Sequence, residues 1–462
     1  MRSCRERATN TTHDSAPLPA GHQPLFGHPR GLFYLAFTEA WERFSFYGMT
    51  ALVVLYMVNV MLLPGHSAHI AGFAAFRAAM ESLFGPLSTQ ALASEIYGLY
   101  AGFVYFTPLL GGLIADRWLG QRIAVVIGAL MMSAGHLAMA FDQTFLVALL
   151  LLVVGSGFLK GNISSQVGAL YPPAEEARRS HGFVIFSTGI NIGAVLGPLV
   201  CGLLAQAYGW HYGFGAAALF MLLGLATYLH GYRYLPARVA RSRRDRTPLT
   251  AADWRIIGAL SLVIMISILP SIVFNQVFNV TPVWIQQHVA PTIGSLRIPV
   301  PWYESITSFF SVLGAPTLLW LWRRQAARGR EPHEVAKIGI GAVLLAASNL
   351  ILVAASFWSG GGAVNPLLPF LYVAGMGIGF LYYWPTLLAL VSRAAPARVN
   401  ATMMGIVFMS LFVGNNLIGR IGGHYERMGP LRFWMLHVAI GAAGGVLVVL
   451  FGRRLGRMLQ PA

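Results

Sequence analysis

The sequence predicts an all-α membrane protein of about twelve crossing helices, divided by a basic linker into two six-helix bundles. Three observations carry that prediction. Of 462 residues, 56% are hydrophobic and only 10% are charged, whereas soluble domains average about 25% charged. Apolar runs long enough to span a bilayer, about 20 residues each, recur along the whole chain. The basic residues sit in alternate connections between those runs, so the net charge of +16 does not describe a soluble basic domain and no nucleic-acid partner is expected.

The runs fall near 32–63, 94–115, 122–141, 143–171, 181–208, 211–235, 254–289, 302–322, 336–358, 366–391, 399–419 and 432–452. They divide the chain into a polar tail (1–31), a first half (32–235), a basic linker (236–253) and a second half (254–458). Arg2, Arg5, Arg7 and Arg30, then Arg117 and Arg122, Arg178 and Arg179, the block from Arg233 to Arg255, Arg323 to Lys337, Arg393 and Arg398, and Arg453 to Arg457 lie on one side. Positive charge retained in the cytoplasm then puts both termini there, in the inner or plasma membrane. The tail has no leader pattern, and the first run carries Glu39 and Glu42, so that run is expected to insert uncleaved. Cys4 and Cys201 offer no disulfide framework.

Within the first run, Thr38-Glu39-Ala40-Trp41-Glu42-Arg43-Phe44-Ser45-Phe46-Tyr47-Gly48 places three ionisable side chains in a membrane helix. Each costs roughly 2.5–3.5 kcal/mol at the bilayer centre, and less nearer the end. Helical spacing puts Glu39, Glu42, Arg43, Phe46 and Tyr47 on one stripe, where Arg43 can neutralise one carboxylate and leave the other free to take a proton. The bland alternative is an ion pair that fixes helix packing. Residues 64–93 form a long outer connection with a surface helix from Ile70 to Phe84. His66 and His69 there lack the further donors a metal site needs, and no metal or cofactor is expected.

The second segment carries Tyr97, Tyr100 and Tyr105 and ends in Gly111-Gly112-Leu113-Ile114-Ala115-Asp116-Arg117-Trp118-Leu119-Gly120-Gln121-Arg122. The fourth contains Gly155-Ser156-Gly157-Phe158-Leu159-Lys160-Gly161-Asn162. Lys160 lies about ten residues, or roughly 15 Å, from the helix end, further than its stem can snorkel, so it must face protein or water. The chain has two lysines, Lys160 and Lys337, among many arginines. Lysine at mid-membrane can lose its proton, which arginine cannot. The fifth segment supplies Phe186-Ser187-Thr188-Gly189-Ile190-Asn191-Ile192-Gly193.

Taken together, these ordered motifs resemble the proton-dependent oligopeptide transporter family, within the major facilitator superfamily. The resemblance covers roughly residues 32–455 and implies alternating access between two six-helix bundles, with protons and a small peptide or peptide-like molecule as partners besides lipid. It implies that Glu39, Glu42, Arg43 and Lys160 couple protons, that Lys160 faces the carboxylates of the first helix, and that Asp116 and Arg117 act at a cytoplasmic gate. It also implies cargo contacts from Arg43, Tyr47, Tyr97, Lys160 and Asn191, the last to the peptide backbone. A buried asparagine that only bonds a neighbouring helix is the alternative for Asn191. The family's proline in the fourth helix is replaced here by Gly161.

The second half keeps landmarks of the family at Ile298-Pro299, Trp302-Tyr303-Glu304-Ser305, Pro385, Ser392-Arg393-Ala394-Ala395-Pro396 and Met403-Met404-Gly405. Aligned on them, the carboxylate usual in the seventh helix becomes Asn275, beside Gln276. The glutamate usual in the tenth becomes Phe380, and the asparagine usual in the eighth becomes Thr307. The anionic partner for a cargo ammonium is thereby lost, a charged hydrogen bond of about 1.5–3 kcal/mol. Glu304, one turn before Thr307, can replace it; the alternative is a solvated residue at the outer end of the helix.

Two cargoes follow: a peptide, or a non-peptide organic acid or amino-acid derivative. An enzyme is not expected. His333-Glu334-Val335-Ala336-Lys337 lacks the second histidine of a zinc protease motif, and Ser156 lacks the context of an intramembrane protease.

Overall fold

A computed structural model describes residues 25–172, 175–236 and 248–459. Most of the N-terminal tail, Cys4 included, and residues 237–247 of the basic linker lie outside the described residues. Twelve helices are long and apolar enough to cross a membrane. They are α1 (Arg30–Tyr56), α2 (Thr89–Ile114), α3 (Gln121–Ala138), α4 (Phe145–Ala169), α5 (Glu176–Tyr208), α6 (Trp210–Gly231), α7 (Ala251–Asn275), α8 (Trp302–Ala326), α9 (Glu334–Trp358), α10 (Leu367–Ala394), α11 (Asn400–Gly422) and α12 (Pro430–Leu459). A surface helix, Phe73–Phe84, lies between α1 and α2.

Several boundaries differ from the hydropathy reading because capping, not apolarity, sets them. Ser88 caps α2 by accepting from the Ala91 amide at 3.2 Å, so that helix begins before its apolar run does. Thr250 and Asp253 form a reciprocal capping box at the start of α7. The expected single seventh span, 254–289, is broken. After Asn275 the chain makes a short 3₁₀ turn, Gln276–Phe278, and resumes as a separate helix, Val280–His288. A small hairpin pairs Thr292–Ile293 with Leu296–Arg297 just before α8.

Buried apolar side chains form two clusters, one drawn mainly from α1 to α6 and the other from α7 to α12. Within the first, α1 and α5 cross at backbone contact. A Cβ on Gly193 would stand 2.7 Å from the Phe44 amide nitrogen and 2.8 Å from the Arg43 Cβ. Only glycine allows that approach, and it presses the charged stripe of α1 toward the interior of its bundle.

Both ends of the described chain, Arg30 and Leu459, lie on one side of the bundle, here called the terminus side. The halves are joined on the opposite, far side. Trp302 Nε1 donates to the Leu199 carbonyl at 3.0 Å and Ser305 Oγ to the Val195 carbonyl at 2.8 Å, tying α8 to α5. Between α2 and α11, Arg420 pairs with Glu95 at 3.1 Å and Ser88 donates to Glu426 at 2.5 Å. Asn59 adds a bond to Gln286 at 2.8 Å.

Toward the terminus side α5 and α8 diverge. The α5 stripe that meets α8 at Leu199 and Val195 continues to Asn191, Thr188 and Val184, all exposed. The facing α8 stripe runs from Ser305 to Phe309 and Leu313, the last two 48% and 56% exposed. The halves are therefore clasped on the far side and parted between these helices on the other.

Candidate functional site

The site is built outward from α1. Glu39, Glu42 and Arg43 are 5%, 0% and 8% exposed, as deeply buried as the apolar residues around them. The Arg43 guanidinium bridges both carboxylates, through Nε to Glu39 at 3.2 Å and through a still closer contact to Glu42. Its single positive charge meets both carboxylates and can balance only one of them. Each of the three side chains still has one atom without a hydrogen-bond partner, namely Glu39 Oε2, Glu42 Oε1 and Arg43 Nη2. The cluster is paired but not saturated.

Lys160 belongs to the same cluster. Helical geometry brings it to this neighbourhood, within electrostatic reach of Arg43, Glu42 and Glu39. It does not ion-pair with either glutamate. Its ammonium lies 4.4 Å from the centre of the Phe46 ring and 5.3 Å from that of Tyr105, and the buried Nζ has no hydrogen-bond partner among the described residues. Arg43 sits 5.2 Å from the same Phe46 ring, so two cations share one aromatic ring. Ring contacts of this kind are worth about 0.5–2 kcal/mol, less than the roughly 1.5–3 kcal/mol of a charged hydrogen bond. Lys160 is held loosely enough to leave for a carboxylate. The other lysine, Lys337, is bound differently, ion-paired to Glu331 at 2.5 Å near the terminus side.

Tyr47 lies against the Arg43 guanidinium, with its ring 6.4 Å from that of Phe278 in the second half. Tyr97 on α2 is 4% exposed and within reach of Tyr47, Tyr100 and Tyr105 on one side and Glu304 on the other. Asn191 is exposed on the α5 stripe where the halves part, not bonded to a neighbouring helix as the alternative had it.

In the second half the predicted residues are more scattered. Asn275 spends its amide on its own helix, donating to the Ser271 carbonyl at 2.8 Å and to Ser271 Oγ at 3.1 Å. Gln276 turns to α11, donating to the Ile418 carbonyl at 3.2 Å. Thr307 is buried, its hydroxyl 3.5 Å from the Tyr303 carbonyl of its own helix. Phe380 stacks on Phe274 with ring centres 4.6 Å apart, so an aromatic pair stands where a carboxylate was looked for.

Glu304 is 3% exposed, and neither carboxyl oxygen has a hydrogen-bond partner among the described residues. The solvated alternative for Glu304 is overturned. Its carboxyl lies within electrostatic reach of the Tyr97 phenol of α2, while its sequence neighbours Trp302 and Ser305 bond across to α5.

Asp116 and Arg117 are exposed in a π-helical turn, Ala115–Leu119, between α2 and α3, where Asp116 accepts from Gln121 at 2.8 Å. His333 caps α9 by accepting from the Ala336 amide, and Glu334 pairs with Arg393 at 2.7 Å, so the protease-like string serves structure.

Sequence reading missed the far-side clasp. Glu95 is an ionisable residue within the second segment and Arg420 one within the eleventh, and both carried the signal that intramembrane charge provides. The sequence marks Phe46 and Tyr105 only as part of the charged stripe and of a row of tyrosines; that they hold Lys160 depends on where α4 lands.

Twelve helices in two clusters, clasped on one side and parted on the other around buried charge, define a membrane transporter. The family model of the Major Facilitator Superfamily matches residues 44–419, and the chain belongs to that superfamily. It is an integral membrane transporter and not an enzyme. Within the superfamily its similarity is to the POT peptide transporters. The peptide transporter YePEPT of Yersinia enterocolitica subsp. palearctica serotype O:3 (strain YE-P4) is 29% identical, over 93% of this chain and 95% of that protein. A di-/tripeptide transporter of Lactococcus lactis subsp. cremoris is 27% identical, over 94% and 97%. The crystal structure of the peptide transporter POT, as a point mutant in complex with alafosfalin, matches with a TM-score of 0.84 at 26% identity, over 95% of this chain and 98% of that one. A POT family transporter in complex with 5-aminolevulinic acid shares the fold, with a TM-score of 0.82 at 22% identity over 94% and 98%.

Proposed function

We propose that the protein is a proton-coupled symporter of di- or tripeptides, or of peptide-like compounds bearing a carboxylate, working by alternating access between its halves. The observation that carries this reading is Arg43 held between two buried glutamates while Lys160 rests on aromatic rings beside them. When Glu39 or Glu42 takes a proton, Arg43 loses one anionic partner and the site gains net positive charge. A cargo carboxylate restores neutrality by engaging Arg43 and Lys160, so proton and cargo favour each other's binding. Tyr47, Tyr97 and Asn191 supply polar contacts to the cargo from the first half. Asp116 and Arg117 act at the gate on the terminus side.

The arginine-rich connections favour an orientation in the inner or plasma membrane with both termini in the cytoplasm. On that orientation the parted α5 and α8 face the cytoplasm, and the clasp joins the halves on the outer side. The naming of full-length relatives as peptide transporters supports the cargo class.

A second reading keeps fold and coupling but changes the cargo to an organic acid or amino-acid derivative. The Phe274–Phe380 stack favours it, since a ring pair attracts an ammonium far less than a carboxylate does. Competition separates the two. In liposomes, millimolar dialanine is expected to suppress uptake of labelled alafosfalin, with 5-aminolevulinic acid a weaker competitor. The reverse order of potency assigns the protein to the second reading.

A further inference from the structure

The surface helix Phe73–Phe84 stands outside the twelve crossing helices, yet it is fastened to the first half at both ends. Before its start, the Ala71 amide donates to the Gln143 carbonyl, between α3 and α4, at 3.0 Å. Along its length Phe73 and Met80 are 3% and 5% exposed and belong to the apolar cluster of the first half. Near its end Arg77 pairs with Glu81 at 2.9 Å and donates to the Leu87 carbonyl at 3.4 Å, which pins the last turn to the chain entering α2.

From that anchorage the helix reaches across to the second half. The Arg420 guanidinium of α11 lies 4.2 Å from the centre of the Phe84 ring while it donates to Glu95 of α2 at 3.1 Å. Toward the interior, α2 and α11 meet at backbone contact, since a Cβ on Gly98 would stand 2.7 Å from the Gly419 Cα. Arg420 thus leaves α11 at the mouth of that crossing, gripped by the first half through a carboxylate and a ring. The two holds are not independent. The Glu95 side chain is 5% exposed but that of Arg420 is 42% exposed, so water competes for the guanidinium. An ion pair wetted in this way is weak. A ring laid against the guanidinium attracts it and keeps water from that part of it, which strengthens the pair with Glu95.

We propose that the surface helix is a strap over the far-side gate, with Phe84 a positioning residue that holds the Arg420 guanidinium on Glu95 and so keeps the halves closed there. When the far side opens, α11 carries Arg420 off the ring, and the strap stays with the first half to which it is fastened. Its contribution is to the balance between open and closed far sides. The proposal rests on the alternating access of the symport reading, and not on the cargo or the protons of that reading.

Spin labels at Gln143 and Ala363, exposed in the α3–α4 and α9–α10 connections of opposite halves, report the far-side distance. The full-length protein is measured in liposomes, with Cys4→Ala and Cys201→Ala as the labelling background. Phe84→Ala is expected to raise the ratio of long to short distances about two- to fivefold, the worth of one partly exposed cation–ring contact. Phe84→Leu, which keeps apolar packing but has no ring face, is expected to do the same, and Phe84→Tyr to match the parent. In an Arg420→Gln background Phe84→Ala is expected to add nothing, because the residue through which it acts is gone. A Phe84→Leu protein with the parent's distances would reduce the ring to packing and overturn the proposal. So would a Phe84→Ala protein that follows the parent, a Phe84→Tyr protein as open as Phe84→Ala, or an effect of Phe84→Ala undiminished without Arg420. Distances that shift as expected in a protein whose uptake ignores a proton gradient would count against the symport reading alone.

Discussion

Arg43→Ala is expected to abolish gradient-driven uptake, with a loss of more than about a hundredfold. The substitution leaves two carboxylates, 5% and 0% exposed, without the cation they share. Breaking a buried pair by removing one partner costs about 3–5 kcal/mol, because the abandoned charge stays buried. Without Arg43 the site also loses the cation through which protonation of a glutamate would be felt by the cargo carboxylate, so coupling is lost with it. Arg43→Lys is expected to recover only a fraction, since a strongly hydrated ammonium on a flexible stem fits a buried pair of carboxylates less well than the planar guanidinium. Uptake of labelled dialanine into liposomes under an inward proton gradient measures both variants. Arg43→Ala protein that accumulates cargo like the parent would contradict the assignment.

Lys160→Gln is expected to weaken cargo binding by roughly 10- to 100-fold, the loss of one charged hydrogen bond of about 1.5–3 kcal/mol. The lysine makes no ion pair among the described residues, so its removal should cost little stability and much affinity. That combination separates a cargo ligand from a structural counter-charge. Lys160→Arg tests the point further. The larger guanidinium must fit the faces of Phe46 and Tyr105, and it stays charged throughout the cycle. Exchange of cargo at equal pH, run beside thermal unfolding, reads affinity and stability separately. A variant with unchanged exchange and a large drop in melting temperature would return Lys160 to a structural role.

Much of this was legible in the sequence because the bilayer makes exceptions conspicuous. Composition and recurring apolar runs announced the helices, and an ionisable residue inside such a run stands out against its neighbours. Glu39, Glu42, Arg43 and Lys160 were visible for that reason, and helical spacing was enough to put the first three on one stripe. What spacing cannot supply is the partner of each charge. That Arg43 reaches both glutamates, and that Lys160 settles on Phe46 and Tyr105, depend on rotamers and on the crossing of α1 with α4.

The same limit explains the second half. Hydropathy read residues 254–289 as one span because apolarity continues through the break; Pro282, in the first turn of the resumed helix, was the local sign of an interruption, and Gln276 and Asn279 bond to the Ile418 carbonyl at the turn. Glu304 looked solvated because it stands at a helix start, where acids are common. Its burial depends on how distant helices assemble around the start of α8, Tyr97 of α2 among their residues, which the local sequence does not show.

The most direct measurement is the pH inside liposomes that carry the purified protein and a trapped fluorescent indicator, followed after dialanine is added outside with no initial gradient. Coupling through the α1 carboxylates predicts that the lumen acidifies with the parent protein and stays level with Glu39→Gln/Glu42→Gln. Dialanine entering the parent liposomes while the luminal pH holds constant would contradict it.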